Sequence, residues 1–129
     1  MNEAIELHDS ELVAVSFSDG EAVVSFSAYI HRSTGTPGVD AGSGWSQPAT
    51  LAIASASMSS VVELPLSVAD GSLRIGDALH DNCIPSNGTF DGPIELHLHF
   101  HLSESLTIRG ERLTIALHGE PSYVEDFKP

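Results

Sequence analysis

Residues 11–26 read ELVAVSFSDGEAVVSF, two alternating apolar and polar segments joined by Asp19-Gly20. Asp-Gly is among the strongest signals for a two-residue β-hairpin turn, because both turn positions need positive φ. With that turn, the pairing count places Val13 opposite Phe26 on the apolar face and Leu12 on the polar face. The stretch therefore predicts a β-hairpin, and similar patterns recur along the chain.

Two further dipeptides predict turns of the same kind, Asp70-Gly71 and Gly110-Glu111. Pro65 indicates that the strand before Asp70 begins there or lies at a sheet edge, because proline cannot donate to a strand ladder. Residues 50–56 and 60–64 also alternate and are predicted to be strands. Hairpins therefore account for most of the chain.

Helical periodicity is nearly absent, and two long connections, 31–47 and 81–92, contain several glycines and prolines. Residues 119–129 are predicted to be a flexible acidic tail. About eight or nine strands with frequent turns indicate an antiparallel all-β sandwich, jelly roll or barrel. We expect a sandwich or jelly roll built from hairpins, with residues 1–129 forming a single domain.

Charge restricts the possible partners. Eighteen acidic residues against five basic ones give a formal net charge of -13. Such a field repels nucleic acid and anionic membrane surfaces, and it attracts a basic protein, a cation or a metal. A role in solubility alone would explain the same charge.

Three observations favour the cytoplasm. No run approaches the roughly 18 apolar residues that span a membrane. The N-terminus is acidic and lacks the basic start of a secretory signal. A single cysteine, Cys83, cannot form an internal disulfide, which fits a reducing compartment.

A row of histidines is the feature of greatest chemical interest, in Glu95-Leu96-His97-Leu98-His99-Phe100-His101. Alternate side chains of a strand share one face, so the glutamate and three histidines form a polar face opposite an apolar one. We predict a three-residue loop at 103–105, which keeps apolar residues together across the hairpin. This register places His99 opposite Arg109.

Two histidines at i and i+2 can share one metal ion, and Glu95 can complete the ligand set. His97-Leu98-His99 resembles the His-x-His strand of cupins, which are jelly-roll metal proteins. The resemblance covers this strand only, and it implies a transition metal and a metal-dependent enzyme. A cationic Arg109 beside His99 would oppose a bound cation.

Two other interpretations of the histidine face remain open. It is a solvated sheet surface, or it is a ligand surface formed by His99, His101 and Arg109. Trp45 in the long glycine-rich connection would then either cover a ligand or pin that connection to the core. Neither of these two interpretations requires a cofactor.

Two features of the N-terminal segment bear on function. His8-Asp9-Ser10 has the residue types of a hydrolase triad, but consecutive residues cannot adopt triad geometry, so a turn between strands is predicted. The stretch Ile5–Leu12, followed by an alternating strand, resembles the start of small uncharacterised bacterial β-proteins, some of which resemble immunity proteins that neutralise toxins. This resemblance implies no catalytic residues, and the acidic charge suits a basic toxin.

The sequence therefore favours a non-enzymatic acidic domain that binds a basic protein or a small ligand, without a cofactor. The alternative is a cupin-type metal-dependent enzyme that uses His97, His99 and Glu95. Self-association through exposed sheet edges is a further possibility.

Overall fold

The computed structural model describes residues 1–60 and 62–128, and these residues form ten β-strands and no helix. None of them forms a helix long and apolar enough to cross a membrane. The strands are β1 (Asn2–Ser18), β2 (Glu21–Ser33), β3 (Gly42–Ala54), β4 (Ser57–Met58), β5 (Leu66–Ile75), β6 (Ala78–Asp81), β7 (Cys83–Pro85), β8 (Gly88–Phe100), β9 (Ser105–Leu117) and β10 (Ser122–Phe127).

Six of the strands close into a barrel. They pair antiparallel in the order β3-β2-β1-β5-β8-β9, and β9 pairs back onto β3. The all-β antiparallel prediction is confirmed, but the architecture is a barrel and not the expected sandwich or jelly roll. Closure gives the two end strands of this path hydrogen-bonding partners that an open sheet would leave unpaired. Each of the four other strands pairs with one barrel strand: β10 with β3, β4 with β9, β6 with β5 and β7 with β1.

The barrel interior is filled by aliphatic and aromatic side chains that alternate along each strand. On β8, Leu96 and Leu98 are fully buried and Phe100 is 3% exposed. Across the hairpin, Leu106 and Ile108 of β9 pack into the same cluster. The side chains between them point away from the core, so functional groups on β8 are displayed outside the barrel.

The predicted Asp19-Gly20 turn joins β1 to β2, with φ of 52° and 78° at its two residues. A bulge at Val13 then shifts the register, so that Leu12 lies opposite Phe26. Leu12 is fully buried whereas Val13 is 45% exposed. The predicted hairpin is confirmed, but the faces assigned to these two residues were wrong because one extra residue reverses the alternation.

The other two predicted glycine turns are wrong. Gly71 lies inside β5 and Gly110 lies inside β9, and each strand continues through its glycine. A Cβ atom at Gly71 would be 2.9 Å from Leu7 Cδ1, and one at Gly110 would collide with Ile53. These glycines are needed for close packing, while the turn after β5 falls at residues 76–77.

The register of β8 and β9 also differs from the prediction. The connection spans residues 101–104, and Leu98 lies opposite Leu106. Arg109 is therefore opposite Glu95 and not opposite His99. The shift from the predicted register is four residues, an even number, so apolar residues still meet apolar residues.

The long connections predicted from the sequence are shorter in the structure. Residues 34–41 alone join β2 to β3, and β7 and part of β8 lie within residues 81–92. The predicted strand over 50–56 falls largely within β3. In the predicted strand over 60–64, the described residues are outside strands, and Val61 lies outside the described residues. Within residues 119–129, β10 pairs with β3.

Candidate functional site

His97 and His99 lie side by side on the outer surface of β8. Their Nε2 atoms are 2.8 Å apart, and their ring centroids are 4.4 Å apart at an interplanar angle of 79°. His97 Nδ1 is 2.6 Å from Thr107 Oγ1 on the neighbouring strand. The two imidazoles therefore form a hydrogen-bonded pair, on the common face that their alternation in the sequence predicts.

Glu95 is turned away from this histidine pair. Its Oε2 atom accepts a hydrogen bond from Arg109 Nε at 2.9 Å, and the Arg109 side chain is largely exposed whereas that of Glu95 is half-buried. Arg109 thus forms an ion pair with the carboxylate that would have completed the metal site expected from the sequence. Three metal-binding side chains do not converge at the histidine pair within the described part of the chain.

The two remaining binding residues predicted from the sequence, His101 and Trp45, lie away from the histidine pair. His101 follows the end of β8 and lines a cavity beside β1. Trp45 lies on β3, where the Arg32 guanidinium carbon is 4.9 Å from its ring centroid and the Tyr123 ring is 5.4 Å away. The structure therefore does not gather His99, His101, Arg109 and Trp45 into one ligand surface.

A large bulge in β1 provides a different candidate site. Glu6 pairs with Tyr29 and Glu11 pairs with Ser27, so residues 7–10 of β1 stand against Ala28 alone. At this point β1 also changes partner, from β7 on its N-terminal side to β5 on its C-terminal side. Bulges of this kind redirect side chains and are frequent at functional sites.

Two hydrogen bonds of the Ser10 hydroxyl stabilise the bulge. Its Oγ donates to the Glu6 carbonyl oxygen at 2.6 Å and accepts from the Tyr29 amide at 3.0 Å. Asp9 has φ of 73°, a left-handed conformation that aspartate tolerates better than most residues. Ser10 therefore bonds to the backbone on both sides of the bulge, and His8-Asp9-Ser10 is a bulge within one strand and not the predicted turn.

An open cavity of about 480 Å³ adjoins the bulge. Two carboxylates, Asp9 and Glu11, border it, and among the described residues neither lysine nor arginine lines it. The Tyr29 hydroxyl donates to Glu125 Oε1 at 3.1 Å, which places a third carboxylate close by. The remaining lining is Ser10, Ser27, Ala28, Tyr29, Ser46, Ser67, Val68, His101 and Val124.

The bulge and the residue before it assemble three potential metal ligands. One ligand atom each from Glu6, His8 and Asp9 lies within 4.8 Å of the others. His8 Nε2 is 3.2 Å from Asp9 Oδ2, and Glu6 is 4% exposed. Burial raises the pKa of the Glu6 carboxyl, and the nearby His8 partly offsets that effect.

The connection between β2 and β3 covers the buried end of this group. The Gly38 amide donates to Nδ1 of the fully buried His31. A Cβ atom at Gly38 would lie 2.5 Å from Cys83 Sγ and 3.3 Å from Glu6 Oε1. Burial, followed by the charge of Glu6, raises the pKa of the Cys83 thiol, so the thiol is held in its neutral, unreactive form.

Sequence reasoning missed the role of Glu6 and assigned His8 and Asp9 to a turn. Glu6 reads as an ordinary outward-facing residue of an alternating strand, and its burial depends on residues 34–41 and on Cys83. One signal was available, since three ligating residue types fall within four positions of the sequence, at Glu6, His8 and Asp9.

Comparison with protein-family models, with curated proteins and with solved structures finds no match.

Proposed function

We propose that this chain is a non-enzymatic binding domain that receives a cationic side chain of a basic protein in the cavity beside β1. The observation that carries the proposal is the lining of that cavity, which includes Asp9 and Glu11 and, over residues 1–60 and 62–128, no lysine or arginine. The net charge of -13 adds a long-range attraction for a basic partner.

The polar groups around the carboxylates suit a guanidinium or an ammonium group. Serine hydroxyls from four strands line the cavity, and hydroxyl oxygens accept hydrogen bonds from such cations. Charge-assisted hydrogen bonds to carboxylates are about twice as strong as neutral ones. The cavity is open, so a side chain projecting from a protein surface can enter without displacing a strand.

Ser10 lacks the arrangement that a nucleophilic serine requires. Its hydroxyl donates to the Glu6 carbonyl and accepts from the Tyr29 amide, so no histidine accepts its proton. This supports binding over hydrolysis at the cavity. The immunity-protein resemblance of the N-terminal segment points to the same class of partner, a basic protein.

The cupin-type alternative receives less support from the geometry. His97 and His99 face outward from a barrel whose interior is filled by apolar side chains. Glu95 is paired with Arg109. We therefore place the binding function at the β1 bulge and not at the histidine pair.

The test is calorimetric titration of the full chain with a tetra-arginine amide peptide. The double variant Asp9→Asn/Glu11→Gln should bind about tenfold more weakly, equivalent to about 1.4 kcal/mol. Asparagine keeps the left-handed backbone at position 9, so the bulge should persist in this variant.

The matched control is Asp19→Asn/Glu21→Gln, which removes the same charge at the exposed tip of the β1–β2 hairpin. It should leave the affinity within about twofold of the parent, because exposed charges beyond a Debye length of about 8–10 Å are screened. Equal losses in the two double variants would show that the peptide senses only overall charge. That result, or an absence of binding by the parent, would overturn the proposal.

A further inference from the structure

We infer that Glu6, His8 and Asp9 form a binding site for one divalent transition-metal ion. This inference does not depend on the proposed binding of a cationic side chain, although Asp9 belongs to both sites. Glu6 is the last paired residue before the bulge, and His8 and Asp9 lie within it. The bulge thus brings into one group side chains that a regular strand would spread over two faces.

The distances fit coordination of a single ion. Ligand atoms around one metal at about 2.0–2.2 Å lie within about 4.4 Å of each other. The three ligand atoms here lie within 4.8 Å of one another before any ion draws them together. A small rotation of the half-exposed His8 and the exposed Asp9 is therefore enough to complete the site.

A weakly bonded buried carboxylate and an unsatisfied imidazole nitrogen give an independent reason to place a cation here. Glu6 is 4% exposed. Its Oε1 atom accepts a weak hydrogen bond from the Cys83 thiol, with Sγ 3.9 Å away. His8 Nδ1 is a buried atom without a hydrogen-bond partner in the described part of the chain. Buried carboxylates and imidazoles normally have partners. A bound cation would give the Glu6 carboxylate a charged partner, and coordination through Nδ1 would satisfy the buried nitrogen of His8.

The donor set indicates the class of metal. One imidazole with two carboxylates suits zinc, iron or manganese, and zinc binds such sites more tightly than the other two. Three protein ligands leave at least one coordination position open. The histidine pair at His97 and His99 lacks a free carboxylate, so it provides an internal comparison.

The experiment is a Zn²⁺ titration of tag-free, chelator-stripped full-length protein by calorimetry, with the thermal midpoint measured in parallel. The parent should bind one Zn²⁺ per chain and should melt at a higher temperature in its presence. His8→Ala and Glu6→Gln should each bind at least about tenfold more weakly, since loss of even an outer-shell partner costs 10–100-fold.

The matched control is His97→Ala/His99→Ala, which should bind one Zn²⁺ with the affinity of the parent. Loss of binding in this control, unchanged binding in His8→Ala, or absence of binding by the parent would each overturn the inference. Circular dichroism checks that the variants are folded. If Glu6→Gln unfolds, His8→Ala decides the outcome, because His8 is half-exposed and its truncation leaves the core intact.

Discussion

The substitution Gly38→Ala tests how residues 34–41 close over the buried end of β1. Gly38 has φ of +85°, and an added Cβ would lie 2.5 Å from Cys83 Sγ. Non-bonded heavy atoms prefer separations of about 3.5–4.0 Å, so the backbone at residue 38 must withdraw by about 1 Å. This movement pulls the Gly38 amide away from His31 Nδ1, its hydrogen-bond acceptor.

The cost of this substitution has two parts. An L-residue in the left-handed region costs about 1–2 kcal/mol. Loss of the amide leaves a nitrogen of the fully buried His31 without its donor, which costs about 1–3 kcal/mol. We therefore expect Gly38→Ala to lower the free energy of unfolding by about 2–5 kcal/mol.

Gly20→Ala is the matched control, because Gly20 has a similar φ of +78° but an added Cβ there meets nothing within 4 Å. It should cost only the backbone part, about 1–2 kcal/mol. Urea unfolding of both variants measures the difference, and a disulfide reagent added to the native proteins measures access to Cys83. Equal destabilisation of the two variants, with Cys83 no more reactive in Gly38→Ala, would refute the proposed contact.

Other outcomes follow from the core, the surface and the two proposed sites. Leu98→Ala should lower the free energy of unfolding by about 2–5 kcal/mol in urea, whereas the adjacent exposed His99→Ala should change it by less than about 0.5 kcal/mol. A hydrogen bond to Asp126 raises the pKa of Tyr123, so Asp126→Asn should lower the alkaline midpoint of tyrosinate absorbance. Saturating Zn²⁺ should weaken binding of the arginine peptide in calorimetry, because Asp9 would already face a cation.

Local turn chemistry allowed part of the fold to be predicted. The Asp19-Gly20 hairpin follows from two residues that accept positive φ between alternating segments. Gly71 and Gly110 carry a similar signal, but their missing side chains make room for Leu7 and Ile53. A glycine in the sequence does not reveal whether it serves a turn or a close contact, because the contact comes from another strand.

The register of β8 against β9 and the closure of the barrel could not be predicted from the sequence, for a related reason. Shifting β9 by four residues along β8 keeps every apolar side chain on the apolar face, so alternation alone cannot choose between the two registers. The charge pair between Glu95 and Arg109 is compatible with only one of them. Pairing of β9 with β3 joins segments that lie about sixty residues apart, and that contact closes the barrel.

The candidate site was partly visible in the sequence. The histidine pair was predicted correctly as neighbours on one face, because a strand has a strict two-residue period. The Glu6 group was missed because its burial depends on Cys83, which is 77 positions away. A bulge cannot be found from one strand, since it is defined by the count of residues on the partner.

The bulge in β1 also determines which positions of the strand face the core. Ile5 faces the core before it and Leu12 faces the core after it, so the inward positions change from odd to even numbers across the bulge. A deletion of one residue among 7–10 would reverse every side chain on the N-terminal side, turning Ile5 away from the core. A change of two residues would preserve the alternation, so the length of this segment is free to vary only in even steps.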